Sequence, residues 1–239
     1  MGLISRSLNL DTQKVIRNLS TEIIQTMRRA SACLDVDTNL GLRHRWNYHC
    51  YFWFGSYDPQ MIIKVKKTLD RMATIINLHP FHISAIWPGF TDPDRIAATI
   101  KPLSGWRNNT KNRKTGAIDA GAFITRSENE MFYILLDQKW YFTPKYTICT
   151  KRHHHNCGKT FIKGPFNSYR TPPCTGNHFS QFQAMIHELT HLLIHSQDHE
   201  TQYQACLDLA EVTKHKAWKN ADNWGYFLEE FRLHKLMAH

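Results

Sequence analysis

His187-Glu188-Leu189-Thr190-His191 is the segment of this chain whose residue types and spacing best suit chemistry. On a helix, positions four apart lie one turn above each other, so both imidazoles point to the same side. Two such nitrogens can hold one Zn2+ ion at ~2.0–2.1 Å each. Glu188, beside the first histidine, can then reach a water on the metal and act as general base. A metal of this kind brings the pKa of that water from ~15.7 toward ~7, which makes hydroxide available at neutral pH. The neighbours sharpen the reading: Phe182, Met185, Ile186, Leu189, Leu192, Leu193 and Ile194 make the segment largely apolar. Burying two histidines and a glutamate among them is costly without a partner, and a metal is a natural one. The bland alternative is an ordinary helix whose polar residues face solvent.

A catalytic zinc needs a third protein ligand and one open position. A histidine six residues past His191 would fall on Gln197, which excludes the metzincin spacing. A glutamate twenty residues on, as in thermolysin-like gluzincins, exists as Glu211, and nearer acids are Asp198 and Glu200. Spacing alone leaves these three open. His195 and His199 continue the four-residue rhythm and read more readily as surface or cleft residues than as further ligands.

The elements that must position this segment are legible in outline. Ile16, Leu19, Ile23 and Met27 recur at helical spacing over residues 12–30, with Asp11 or Thr12 as a cap. The aromatic stretch from Trp46 to Tyr57 has no clear period. Asp58-Pro59 opens a second helix, with Met61, Ile62, Val65, Leu69 and Met72 as its stripe. Strands are expected at Phe81 to Trp87 and at Met131 to Leu136, with Trp140 to Phe142 continuing or pairing with the latter. Residues 104–120 read as a basic loop. Residues 143–179 are irregular and are expected to hold a small hairpin or a disulfide clip. Two helical segments close the chain, from Phe179 through Ile194 and across Gln202 to Leu236. Helices, then strands, then helices argue for an α+β fold.

Of the 239 residues, 42% are hydrophobic and 21% charged, a globular composition that excludes wholesale disorder, collagen and coiled coil. No apolar run approaches the ~18 residues of a membrane span. The formal charge of +10 favours acidic partners, and a nucleic-acid binder is the first hypothesis it raises. Against that, the basic stretch Arg107 to Lys114 lacks the interleaved aromatics that stack on bases. His153-His154-His155, between Cys149 and Cys157, matches no standard zinc spacing and reads as a solvated loop closed by a disulfide. Six cysteines permit up to three disulfides or none, according to compartment.

Beyond the zinc motif, four segments in order resemble the aspzincins, the group of deuterolysins and peptidyl-Lys metalloendopeptidases. They are Trp53-Phe54-Gly55-Ser56-Tyr57-Asp58, Tyr133 to Trp140, the His187–His191 motif with an acid and a tyrosine behind it, and Asn220-Ala221-Asp222-Asn223-Trp224-Gly225-Tyr226-Phe227. The resemblance implies that His187 and His191 are zinc ligands and Glu188 the base. Glu200 stands where the family has its ligand Asp, and Tyr203 where a tyrosine stabilises the oxyanion. Asp222 matches an acid that helps receive the substrate lysine in Lys-specific members. The family's Gly-Thr is replaced here by Gln197-Asp198, so Asp198 is the alternative third ligand, with Glu200 preferred and Glu211 behind both. Gly225 occupies the place of the second lysine-binding acid, which leaves lysine preference unassigned.

The expectation is therefore an α+β, zincin-like metalloprotease domain with a small sheet and an active-site HExxH helix. Residues 41–239 would form that domain and residues 1–40 a helical extension. Its cofactor would be Zn2+ and its partner a protein or peptide substrate, with no nucleic acid and no membrane span. The start, Met1 to Asp11, carries no signal-peptide core, so export as an effector or toxin by a specialised route is expected, with the cytoplasm left open. The alternatives are a basic, metal-stabilised nucleic-acid- or membrane-surface-binding protein without activity, and a zinc hydrolase acting on cell-wall peptide.

Overall fold

Ile16, Leu19, Ile23 and Met27 line the buried face of helix α1 (Leu10–Cys33). This computed structural model describes residues 3–5, 10–34, 45–56, 58–78, 81–85, 100–101, 122–127, 132–136, 162–163, 169–170 and 180–237. At the end of α1 the last carbonyls are met from outside: Lys66 Nζ donates to the carbonyls of Ser31 (2.5 Å) and Leu34 (2.6 Å). A cation against a helix C-terminus is favourable as well as satisfying. Lys66 belongs to α3 (Pro59–Leu78), whose stripe of Ile62, Val65, Leu69, Met72 and Ile76 packs on α1. Asp58 opens α3 as expected, its Oδ1 accepting from the Gln60 amide at 2.9 Å.

The aromatic stretch without a clear period is also a helix, α2 (Arg45–Phe54). Cys50, Phe52, Trp53 and Phe54 are all buried, so apolar residues are needed on more than one side and no stripe shows in the sequence. Gly55, at φ +67°, ends α2, and a Cβ there would stand 1.8 Å from the Ala210 carbonyl oxygen. Only glycine lets α2 approach the helix that carries Ala210 so closely.

Helix α4 (Gln181–Ile194) lies inside. Ser180 caps it, its Oγ accepting from the Gln183 amide at 3.0 Å, and every residue from Gln181 to Leu193 is buried. The expected helix over Gln202 to Leu236 is three: α5 (Tyr203–Val212), α6 (Lys214–Lys219) and α7 (Ala221–Met237). The breaks fall at Thr213 and Asn220, whose backbones leave the helical region. At Asn220 the side chain has other partners, as such residues often do when they interrupt helices.

α7 runs against α4 and supplies Trp224, Phe227 and Phe231 to the core. Phe54 meets Trp224 and Phe227 with ring centroids 4.6 and 5.2 Å apart. A buried ion pair, Arg232 with Glu229 at 3.2 Å, reaches the cap of α4 through Ser180 Oγ, which donates to Glu229 Oε1 at 3.3 Å.

The strands contribute backbone ladders: β1 (Leu3–Ser5), β2 (Phe81–Ala85), β3 (Ile100–Lys101), β4 (Ala122–Ser127) and β5 (Phe132–Leu136), in the order β1-β2-β5-β4-β3. β6 (Ile162–Lys163) and β7 (Tyr169–Arg170) pair separately and antiparallel. The expectation of an α+β domain organised on a small sheet is nonetheless overturned. Every described side chain of the core comes from a helix or a helix-joining turn, so the interpretable architecture is almost all helical. Local strand propensity does not say which elements fill the core: β4 lies against α4, yet the described core side chains are those of helices. Trp87, Trp140 to Phe142, Arg107 to Lys114, His153 to His155 and Cys149, Cys157 and Cys174 lie outside the described residues; Cys33, Cys50 and Cys206 are free thiols.

Candidate metal centre

A helix buried on every side must find partners for each polar side chain it carries. His187 and His191 turn their Nε2 atoms toward each other, 3.0 Å apart, with rings crossed at 81°. His195 ends the helix in the left-handed conformation (φ 54°, ψ 42°), and the chain doubles back. That reversal brings Asp198 Oδ1 to 3.1 Å from His187 Nε2 and 3.0 Å from His191 Nε2. Among the described residues, His187, His191 and Asp198 form the group able to hold a metal ion.

The outer nitrogens set the tautomers. His187 Nδ1 lies 2.7 Å from Asp222 Oδ1, and His191 Nδ1 lies 2.9 Å from the Ser196 carbonyl. Each Nδ1–H therefore donates outward, so that with both rings neutral two Nε2 lone pairs and a carboxylate oxygen converge. Three acceptors so placed call for a cation. Their 3.0–3.1 Å separations are close to the roughly 3.3 Å expected between ligands of a tetrahedral zinc with bonds of ~2.0–2.1 Å. The donor set fits zinc. Thr190 Oγ1 donates to the His187 carbonyl at 2.7 Å and shares a 2.9 Å bond with Ser196 Oγ, pinning the turn to the helix.

Glu188 is 3% exposed, with Oε1 4.0 Å from His187 Nε2 and Oε2 buried without a hydrogen-bond partner. Burial pushes its carboxyl up to about 7, against the pull of the two imidazoles. Burial works to lower His187 and His191, but Asp222 and Asp198 outweigh it at the first and Asp198 and Glu188 at the second, so both stand above the ordinary imidazole value. Asp198, despite partial burial, is held below the carboxylate range by its bonds to the two histidines.

Of the acids considered for the third position, Asp198 is the one whose carboxylate lies with the two histidines; Glu200 is exposed, and its backbone is held by Asn220. Counting residues from His191 cannot register how tightly His195 turns the chain. Glu211 is exposed near the end of α5. His195 is exposed, and His199 is half-buried, its imidazole lowered by burial and then by the charges of Lys216, Lys219 and His215. Tyr203 begins α5, its ring edge-on to Trp53 and Tyr226, with centroids 5.4 Å away in each case. Asp222, expected to face substrate, is fully buried and bonded to His187.

Sequence reasoning passed over Asn220. Its Oδ1 accepts the amides of His199 (2.8 Å) and Glu200 (3.1 Å), and its Nδ2 donates to the Glu200 carbonyl (2.8 Å) and to Asn223 Oδ1 (2.6 Å). Asn223 Nδ2 in turn donates to the carbonyls of Trp53 and Cys206. This network fixes the turn that presents Asp198. The two asparagines flanking Asp222 were the available signal.

Two histidines and an acid converging beside a buried glutamate make a possible zinc site. Residues 127–229 match the model of the aspzincin M35 family, a zinc-dependent family described as lysine-specific metallo-endopeptidase. In fold the chain is similar to a zinc peptidase from Grifola frondosa, with a TM-score of 0.52 over 93% of this chain and 96% of that one, at 13% identity. No curated protein matches it in sequence. No described helix is long and apolar enough to cross a membrane.

Proposed function

We propose that the protein is an endopeptidase in which His187, His191 and Asp198 hold zinc and Glu188 is the general base. The convergence of two Nε2 atoms and Asp198 Oδ1 beside a buried Glu188 carries this reading. Zinc, when bound, supplies polarisation of the scissile carbonyl and a water of lowered pKa. Glu188 takes a proton from the attacking water and returns it to the leaving amine; a carboxyl raised toward neutrality suits both halves of that transfer. Asp222 and the Ser196 carbonyl keep the imidazoles in the tautomer that offers Nε2 inward. Tyr203, aligned by Trp53 and Tyr226, donates its phenol to the developing oxyanion.

The peptidase spans residues 41–239, and residues 1–40 are an extension whose helix α1 is built into the shared core. The resemblance to exported peptidases supports a role outside the producing cell, as an effector acting on foreign protein. The test is incubation of purified, zinc-loaded protein with a mixed protein substrate, with and without chelator. Cuts that vanish with chelator and return with added zinc are expected. Cuts indifferent to chelator, or none, would reject the reading.

A further inference from the structure

Exposure shows where substrate reaches the centre. His187 and His191 side chains are under a tenth exposed, whereas Asp198 is 42% exposed, so the open side of the group lies across the Asp198 turn. That turn is stitched to α6: the Gln197 amide donates to the Lys219 carbonyl (2.6 Å), and the Ala221 amide donates to the Gln197 carbonyl (3.0 Å). α6 carries Lys214, His215, Lys216 and Lys219, all exposed. Lys64 adds a further exposed cation, 4.2 Å over the Trp218 ring. None of these lysines forms an ion pair among the described residues. Glu200 is the turn's other exposed acid, outnumbered by these cations.

The acid that resemblance assigns to a substrate lysine is meanwhile committed elsewhere. Asp222 has no exposed surface, and its Oδ1 holds His187 Nδ1. At Gly225, where a second acid would be needed, a Cβ would stand 2.8 Å from Gln183 Cγ, so the space for a side chain is already filled.

We propose that this protein selects acidic peptide segments rather than lysine, with substrate Asp or Glu side chains near the scissile bond engaging Lys216 and Lys219. The proposal rests on the peptidase reading above. The chain's net charge of +10 acts in the same direction at longer range, by steering acidic substrates to the enzyme.

The experiment uses zinc-loaded protein and peptides that share one cleavage site but differ in flanking residues: acidic, neutral or lysine. Wild type is compared with Lys216→Ala/Lys219→Ala and with Lys216→Glu/Lys219→Glu, at low and high salt. The expected result is kcat/KM about tenfold higher for acidic than for lysine flanks at low salt, narrowing as salt screens the rim. The alanine variant should lose the preference and the glutamate variant reverse it, while cleavage of the neutral peptide stays unchanged in both. The alanine variant keeps the test decisive if charge reversal impairs folding. Equal cleavage of all flanks, faster cleavage at lysine, or a preference that survives both variants would overturn the inference and leave the peptidase reading standing. No cleavage of any peptide by stoichiometrically loaded protein would overturn both.

Discussion

Asp222 Oδ1 lies 2.7 Å from Nδ1 of His187, and both side chains are buried. A helix that begins twenty-seven residues after the active-site helix ends thus sets the tautomer of one imidazole of the site. His191 is held by a neutral carbonyl, that of Ser196, so the two histidines differ in the charge behind them. A carboxylate behind a ligating imidazole raises its basicity and fixes its orientation.

Asp222→Asn should therefore lower zinc affinity roughly 10–100-fold, the usual cost of losing such a partner. Competition with a chromophoric chelator measures this directly, and circular dichroism should show the helices retained. Unchanged affinity would remove Asp222 from any role in positioning His187.

Glu188→Gln should leave zinc binding nearly intact and reduce kcat by about 10²–10⁴-fold, because the amide keeps the shape but cannot accept a proton. Zinc content and peptide turnover, measured on one preparation, separate the two effects. A loss of zinc in proportion to activity would point to a structural role instead.

Asn220→Ala strips hydrogen bonds from the His199 and Glu200 backbone and from Asn223. Unsatisfied buried groups cost about 1–3 kcal/mol each, so a loss of about 2–3 kcal/mol in urea unfolding is expected. Zinc affinity should fall as well, since the clamped turn carries Asp198. A variant of native stability and native affinity would show that the clamp does not matter.

Stability should decline at alkaline pH. Burial raises the thiols of Cys50 and Cys206 and the phenol of Tyr226 above their ordinary values, with Asp222 adding to the last two. A raised folded pKa gives stability that is whole below the unfolded pKa, ~8.5 for Cys and ~10 for Tyr, and is lost as pH climbs through the folded value. The urea midpoint should thus drop from about pH 8.5 to about pH 10.5. In native protein at neutral pH, alkylation of Cys50 and Cys206 should be slow, and in urea fast. A flat midpoint across that range would contradict the assignment.

How much of this was legible before folding depended on the range of the interactions. The stripe over α1 and the Asp58-Pro59 start of α3 are local and read correctly. α2 did not, because Trp53 and Phe54 are enclosed by α5 and α7 and leave no polar face to mark a period. The stretch from Gln202 to Leu236 read as one helix because nothing in its composition announces that Asn220 spends its side chain on a distant turn. The described core comes from helices rather than from the expected sheet for a related reason: strand-like runs do not reveal which elements supply the core side chains.

The sequence by itself determined that His187, Glu188 and His191 share one side of an apolar helix, since the 3.6-residue turn fixes their relation without any other part of the chain. The types of those three residues pointed the proposed chemistry toward zinc-assisted hydrolysis. Which acid meets the two histidines was decided only by tertiary structure. The left-handed residue His195, the Gln197 bridge to Lys219 and Ala221 and the Asn220 clamp together bring Asp198 rather than Glu200 to the histidines. They also lay the cations of α6 along the open side and bury Asp222 behind His187, contacts between segments that no spacing along the chain can encode.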